Sequence, residues 1–188
     1  MKQDITRTLV NEHKLILRML DLLEHNAPIT AAGVYTNYQF YLDGVDFIRN
    51  YADRFHHAKE EDVLFTALVA NGMPQENSPV AAMLVEHDQG RAYVRAMEAA
   101  ARAALAGDSS RNLEIAENAL GYLHLLREHI AKEDNILYPL AERVIPETMR
   151  AGILAGYAAA ERKTPVDFAA RYLALAVRYE AESRQLAA

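Results

Sequence analysis

The sequence predicts an all-α protein, an up-down-up-down four-helix bundle with a C-terminal helical extension. Apolar residues recur at spacings of three and four through alanine- and leucine-rich segments, which is the periodicity of amphipathic helices. The 188 residues include 8 glycines and 6 prolines, too few for a protein that turns often between strands. The breaks between the long periodic segments are short, and short connections join antiparallel neighbours in a bundle.

Residues that start or stop helices divide the bundle into four. Asn26 and Pro28 interrupt the apolar stripe of the first helix, and Asn-Gly-Met-Pro at 71–74 ends the second. Ser78 and Pro79 form an N-cap and a first turn for the third helix. We therefore predict helices over residues 3–25, from between 30 and 37 to 70, from 79 to 107, and from a cap at 108–110 to 144.

Pro146 opens a C-terminal segment with two shorter helical patterns, which are split at Thr164 and Pro165. We predict two units, a bundle over residues 1–145 and an extension over residues 146–188. The extension is expected to pack on its own bundle, with self-association into a homo-oligomer as the alternative.

Composition excludes several classes of partner and of chemistry. The 20 basic and 26 acidic residues give a net charge of −6, which repels nucleic acid and anionic lipid. The N-terminus carries scattered charges and no segment is apolar enough to cross a bilayer, so we expect a soluble, cytoplasmic protein. Because the chain has no cysteine, metal or catalytic chemistry must use imidazole, carboxylate and hydroxyl groups.

An internal repeat relates the two halves of the bundle. Asn-Glu-His at 11–13 recurs as Val-Glu-His at 85–87. The segment 56–65, which begins His-His-Ala-Lys-Glu, recurs at 129–138, which begins His-Ile-Ala-Lys-Glu. Two similar helical hairpins are expected to pack about a pseudo-twofold axis, with the first helix opposite the third and the second opposite the fourth.

Two overlapping His-x-x-x-Glu pairs in the second helix fall on different predicted faces. Residues i and i+4 lie one turn apart on the same side of an α-helix. His56 and Glu60 continue an apolar stripe and are expected to face the core, whereas His57 and Glu61 continue a polar stripe and are expected to face water. A small rotation of the helix would exchange the two pairs, and this alternative stays open.

The remaining candidates also fall on inward faces. His129 and Glu133 share an apolar stripe with Ile136, while His13 and His87 lie on the inward faces of the first and third helices. Four histidines and two glutamates thus converge in an apolar interior, where an unpaired carboxylate costs on the order of several kcal/mol. Imidazole and carboxylate suit a cation such as iron, manganese or zinc. Two shared carboxylates with a bridging oxo or hydroxo group suit a pair of ions with an open coordination position.

These residues resemble the hemerythrin-like, or HHE cation-binding, family. The resemblance covers residues 5–143 and rests on four motifs in order: Glu12-His13, His56-x-x-x-Glu60, Glu86-His87 and His129-x-x-x-Glu133. It implies a non-haem di-iron centre. Its terminal ligands would be His13, His56, His87 and His129, and its bridging ligands Glu60 and Glu133.

One position departs from the oxygen-carrying members of that family. They have a further histidine four residues after the position of His87, and this sequence has Arg91 there. Arg91 is expected either to place its charge near the ions or to extend outward past them.

Two functions of different classes follow from this pattern. The leading hypothesis is a di-iron protein that uses the open position to bind or sense dioxygen or nitric oxide, or that handles iron. The alternative is a metal-free helical interaction module in which the histidines and glutamates form hydrogen-bonded pairs. His25 and His124 are expected on the surface, and no residue is assigned a catalytic role.

Overall fold

The computed structural model describes residues 2–186, and all regular structure in that range is helical, which confirms the predicted class. Six helices follow one another: α1 (Arg7–Ala31), α2 (38–70), α3 (Pro79–Leu105), α4 (112–144), α5 (Glu147–Glu161) and α6 (Phe168–Leu186). Residues 1, 187 and 188, at the ends of the two predicted units, lie outside the described residues. Within that range no helix has the length and apolar character needed to span a membrane.

Two helices of the bundle change from α to π geometry partway along. Helix α2 consists of Tyr38–Phe47 (α), Ile48–His57 (π), Glu60–Phe65 (π) and Thr66–Ala70 (α). Helix α4 consists of Asn112–Lys132 (α), Glu133–Leu137 (π) and Tyr138–Val144 (α). A π turn is closed by a hydrogen bond between residues five apart, so it holds more residues than an α turn. Side chains that an α-helix would spread around its circumference therefore stay closer to one face.

Helix α1 is longer than predicted because Pro28 does not end it. Proline removes one backbone N–H, and the carbonyl that loses its partner belongs to Glu24, an exposed residue that water can reach. Ala27 and Thr30 are buried and continue the inward stripe beyond the proline. Packing therefore extends the helix to Ala31.

The predicted start of α3 is confirmed, and its end at Leu105 lies two residues before the predicted one. The side-chain oxygen of Ser78 accepts a hydrogen bond from the backbone N–H of Ala81 at 3.2 Å, which caps the helix. Gly107 follows its other end with φ of +110°, a left-handed conformation that glycine adopts without a steric penalty. The chain can therefore reverse there and enter α4 after a 3₁₀ turn at Ser109–Arg111.

The four long helices form a ring. Helix α1 contacts both α2 and α4, and α3 contacts the same two helices. Helices α1 and α3 are therefore opposite each other, as are α2 and α4, which agrees with the arrangement that the repeat predicts.

The two C-terminal helices pack on the first half of this ring. Helix α6 lies against α1 and α2, where Arg18 pairs with Glu180 at 2.7 Å and the hydroxyl of Tyr179 donates to Asp43 at 2.7 Å. Helix α5 contacts the second π segment of α2. The first half of the repeat is thus covered by the extension.

Buried apolar residues form two clusters at opposite ends of the bundle. The larger one includes Ile16, Leu20, Val94, Met97, Ile115 and Leu126, together with Tyr172 and Tyr179 of the extension. The smaller one includes Leu9, Leu64, Leu68, Met83, Leu137 and Ile153. Along α1, His13 lies between Leu9 of one cluster and Ile16 of the other, so the polar candidates occupy a layer between the clusters.

Candidate metal centre

Seven buried histidine and glutamate residues form two groups in the polar layer between the apolar clusters. In each group, one ligand atom per residue lies within 4.8 Å of all the others. The first group is His13, His56, Glu60 and Glu133, and the second is His57, His87, His129 and Glu60. All six residues predicted from the sequence are thus brought together, and Glu60 belongs to both groups.

A pair of histidines stands at the centre of each group. The Nε2 atoms of His13 and His56 are 3.0 Å apart, and those of His87 and His129 are 3.1 Å apart. The four rings come from four different helices, and each is at most 2 % exposed. The internal repeat is therefore reproduced as two similar pairs of imidazoles.

A carboxylate holds the outer nitrogen of each of these four rings. The Nδ1–carboxylate distances are 2.9 Å for His13 with Asp134, 2.9 Å for His56 with Glu12, 2.7 Å for His87 with Glu61, and 2.9 Å for His129 with Glu86. Carboxylates accept hydrogen bonds, so each Nδ1 carries the proton and each Nε2 presents a lone pair to the centre. The same arrangement orients metal-binding histidines in many proteins.

The short Nε2–Nε2 contacts require positive charge. Two lone pairs at about 3 Å repel each other unless a cation or a second proton lies between them. Burial favours the neutral ring, yet the hydrogen bond to Asp134 and the nearby carboxylate of Glu133 raise the pKa of His13 to about 9. The pKa of His129 is also raised against the effect of burial, by Glu133 and Glu86. Each pair of rings therefore offers a place for one positive charge, either a proton or a metal ion.

The two glutamates lie between the histidine pairs. The Oε2 of Glu60 is 3.8 Å from the Nε2 of His56 and 3.6 Å from that of His87. The Oε2 of Glu133 is 3.4 Å from the Nε2 of His13, and its Oε1 is 3.2 Å from that of His129. Each carboxylate thus reaches both pairs.

Three oxygens of these two glutamates are buried without a hydrogen-bond partner among the described residues: both of Glu133 and Oε2 of Glu60. Burial and the charge of Glu133 raise the pKa of Glu60 well above its usual range. Burial acts the same way on Glu133, but His129 and His13 overcome it and hold its pKa well below its usual range. Orphaned carboxylate oxygens beside imidazole lone pairs are a donor set that suits a metal site.

The expectation that His57 and Glu61 face water is wrong. His57 is 6 % exposed and its ring stacks on that of His87, with 3.8 Å between the centroids. Burial and the charge of His87 lower the pKa of His57 to about 3, so the ring is neutral. Glu61 is half-buried and accepts from the Nδ1 of His87. The two pairs are not exchanged: His57 joins His56 and Glu60 at the centre, and Glu61 lies outside it on the Nδ1 of His87.

The π segments explain this difference. In α2 they keep His56, His57 and Glu60 close to one face, where an α-helix would separate the two histidines. In α4 the π segment turns Ile136 outward, so that it is 60 % exposed, and brings Leu137 inward instead. The predicted sharing of a face by Glu133 and Ile136 is therefore also wrong.

Arg91 contacts the second histidine group through a carboxylate. Its guanidinium is 2.8 Å from Glu61 and 2.7 Å from Asp53, and the hydrogen bonds to Asp53 strongly raise its pKa. Because Glu61 in turn holds His87, Arg91 fixes the position of that ring. Asp134, which follows Glu133 in the sequence, holds His13.

Five supporting residues were not predicted. Glu12 and Glu86 hold His56 and His129, and each is paired with a lysine, Lys59 and Lys132 respectively. Tyr138 donates its hydroxyl to the Oε1 of Glu60. The repeat contains the signal for the first four, because Glu-His and His-x-x-Lys-Glu occur in both halves. His25 and His124 are exposed, as predicted.

Comparison with known proteins agrees with this geometry. The family model for the Hemerythrin HHE cation binding domain matches residues 4–141. Two curated relatives are the uncharacterized proteins Rv1995 of Mycobacterium tuberculosis (strain ATCC 25618 / H37Rv) and Mb2018 of Mycobacterium bovis (strain ATCC BAA-935 / AF2122/97). Each is 23 % identical over 137 residues, which are 73 % of this chain and 53 % of the relative.

The chain therefore spans about half the length of these curated relatives. No solved structure gives a significant match. The family model covers most of the bundle and both halves of the repeat. This chain belongs to the hemerythrin HHE cation-binding domain family.

Proposed function

We propose that the chain holds two metal ions, with iron as the physiological metal and manganese or zinc as substitutes. His13 and His56 would bind one ion, His57, His87 and His129 the other, and Glu60 and Glu133 would bridge them. The observation that carries the proposal is the pair of Nε2–Nε2 contacts of 3.0 and 3.1 Å, beside carboxylate oxygens that have no other partner.

His57 supplies the second group with a histidine that the sequence pattern did not predict. Position 91, where oxygen-carrying relatives are expected to have a histidine, holds an arginine that pairs with Asp53 and Glu61. A histidine from α2 instead approaches the second group, stacked on His87. The second ion would then have one more nitrogen ligand than the first.

The proposed activity is binding or sensing of dioxygen or nitric oxide, or iron handling. A bridged di-iron centre with an open coordination position supplies the binding and reduction of such small molecules. The chain contributes rings of fixed tautomer, because carboxylates hold all four Nδ1 atoms. It also buries the ligands in a layer between two apolar clusters, which shield them from bulk water toward both ends of the bundle.

Metal content tests the ligand assignment. The purified chain is stripped with chelator, reconstituted anaerobically with ferrous iron, desalted and analysed by elemental mass spectrometry. We expect two irons per chain, and almost none in the double variant His56→Ala, His129→Ala. The matched control is His25→Ala, His124→Ala, which removes two exposed histidines and should load normally. Undiminished iron in the first variant would refute the assignment.

A folded wild-type chain that takes up no metal would favour the metal-free interaction module instead. Where iron does load, visible and near-ultraviolet spectra of the oxidised, reduced and nitric-oxide-treated protein report on the bridge and the open position. Loss of one iron in His57→Ala, with the other retained, is the outcome expected if His57 belongs to the second ion.

A further inference from the structure

A cavity of about 240 Å³ lies beside the second histidine group. His57, His87 and His129 form part of its wall, together with the apolar side chains of Val94 and Leu126. One water takes up about 30 Å³ of liquid, so the cavity corresponds to roughly eight waters. It is far larger than a diatomic molecule needs, so a larger ligand fits it.

Two side chains in the cavity wall each carry a buried polar atom without a partner among the described residues. The hydroxyl of Tyr122 is buried and makes no hydrogen bond within residues 2–186, although the side chain lines the cavity. The Nδ1 of His57 is also unpartnered, because its nearest carboxylate oxygen, on Asp53, is 3.5 Å away. Both atoms are enclosed within the wall, so they do not indicate what the cavity binds; its apolar side chains and the charges at its mouth do.

The outer part of the cavity is basic in a chain whose net charge is −6. Four arginines line it against two carboxylates: Arg49, Arg54, Arg91 and Arg95 against Asp53 and Glu86. Arg49 pairs with Glu98, and Arg91 pairs with Asp53. Arg54 and Arg95 are exposed and have no carboxylate partner in the part of the chain that the structure describes. They leave positive charge at the mouth.

We propose that this cavity binds a small organic monoanion of about eight non-hydrogen atoms, with its charged group at Arg54 and Arg95 and its apolar part against Val94 and Leu126. Arginine suits a carboxylate because its planar fork can donate two hydrogen bonds to it. The cavity is formed by the chain alone, so this binding does not depend on the proposed ions.

Hexanoate, which has eight non-hydrogen atoms, is the probe. Its dissociation constant is measured by calorimetry on the full chain, once after chelator treatment and once after iron loading. We expect hexanoate to bind more tightly than butanoate by roughly fourfold per added methylene. 1-Hexanol, which lacks the charge, and nitrite, which lacks the apolar part, should both bind more weakly.

Three variants locate the site. Arg54→Gln and Arg95→Gln should each weaken hexanoate binding roughly threefold, and about tenfold together. Val94→Phe fills the cavity and should abolish binding while helical content and iron loading are kept. The matched control is Arg162→Gln, an exposed arginine outside this cavity, which should leave binding unchanged.

The proposal is overturned if hexanoate does not bind, if nitrite binds equally well, or if the two mouth variants behave like the control. Iron content is measured on the same samples, so the two proposals fail separately. Normal iron loading without hexanoate binding would refute only the proposal of an anion site. Hexanoate binding to a chain that takes up no iron would refute only the proposal of a metal centre.

Discussion

Lys59 and Lys132 occupy equivalent places in the two halves of the repeat, and their surroundings predict unequal contributions to stability. Lys59 is fully buried, pairs with Glu12 and Glu161, and lies 3.6 Å from the centre of a phenylalanine ring. Lys132 pairs with Glu86 but is 38 % exposed. The difference arises because Glu161 of α5 covers Lys59, whereas Lys132 has no second carboxylate partner among the described residues.

Replacement of Lys59 by methionine keeps the apolar stem and leaves a buried carboxylate unpaired. Breaking a buried ion pair costs about 3–5 kcal/mol, and we expect the lower end because Glu161 is 44 % exposed. Lys132→Met breaks a partly exposed pair and should cost less than about 1 kcal/mol. For a chain of this length, about 3 kcal/mol lowers the melting temperature by roughly 6–12 °C.

Urea and thermal unfolding, followed by circular dichroism on chelator-treated protein, measure this difference. Working without metal removes any contribution from changed metal affinity, because Glu12 and Glu86 each hold a candidate ligand. Equal losses of stability in the two variants would refute the reasoning, since they would mean that burial of Lys59 by the extension has no energetic consequence.

Three further predictions concern other contacts. Gly152→Ala should stabilise the chain by about 1 kcal/mol, whereas Gly156→Ala should not, because its new Cβ would lie 2.9 Å from a valine of α2; thermal unfolding compares the two. Tyr138→Phe should leave an oxygen of Glu60 without a donor, cost about 1–3 kcal/mol, and weaken metal retention roughly 10–100-fold in chelator competition. Burial would raise the pKa of Asp43, but hydrogen bonds outweigh it and hold the pKa below the ordinary 3.8. The stability that Asp43 contributes is therefore present above pH 3.8 and lost as the pH falls further. Unfolding of Asp43→Asn should show a shallower loss of stability in acid, and an unchanged loss would contradict this.

The fold was predictable because the signals that set it are local. Helix caps and breakers such as Ser78 and Gly107 act within a few residues, and the apolar period identifies the inward faces. The exception is Pro28, where tertiary packing of the following turn outweighs one missing hydrogen bond. Sequence periodicity does not contain that information, because it lies in the partner helices.

The candidate site was predictable to the extent that α geometry holds. His13 and His87 lie on regular α turns and face the centre as expected. His57 does not, because a face assignment assumes 3.6 residues per turn and α2 departs from that value where the site is formed. Tyr138, which donates to Glu60, follows the π segment of α4, so its position also depends on that departure.

The polar layer between the two apolar clusters also restricts how the helices can be aligned along their axes. Moving any one helix by a single turn would carry a histidine or glutamate into one cluster and a leucine or isoleucine into the layer. Because all four helices contribute to the layer, such a shift is unfavourable for any of them, as a buried asparagine makes misaligned helices of a coiled coil unfavourable. The layer that gathers the ligands therefore also fixes the longitudinal alignment of the bundle, whether or not an ion is bound.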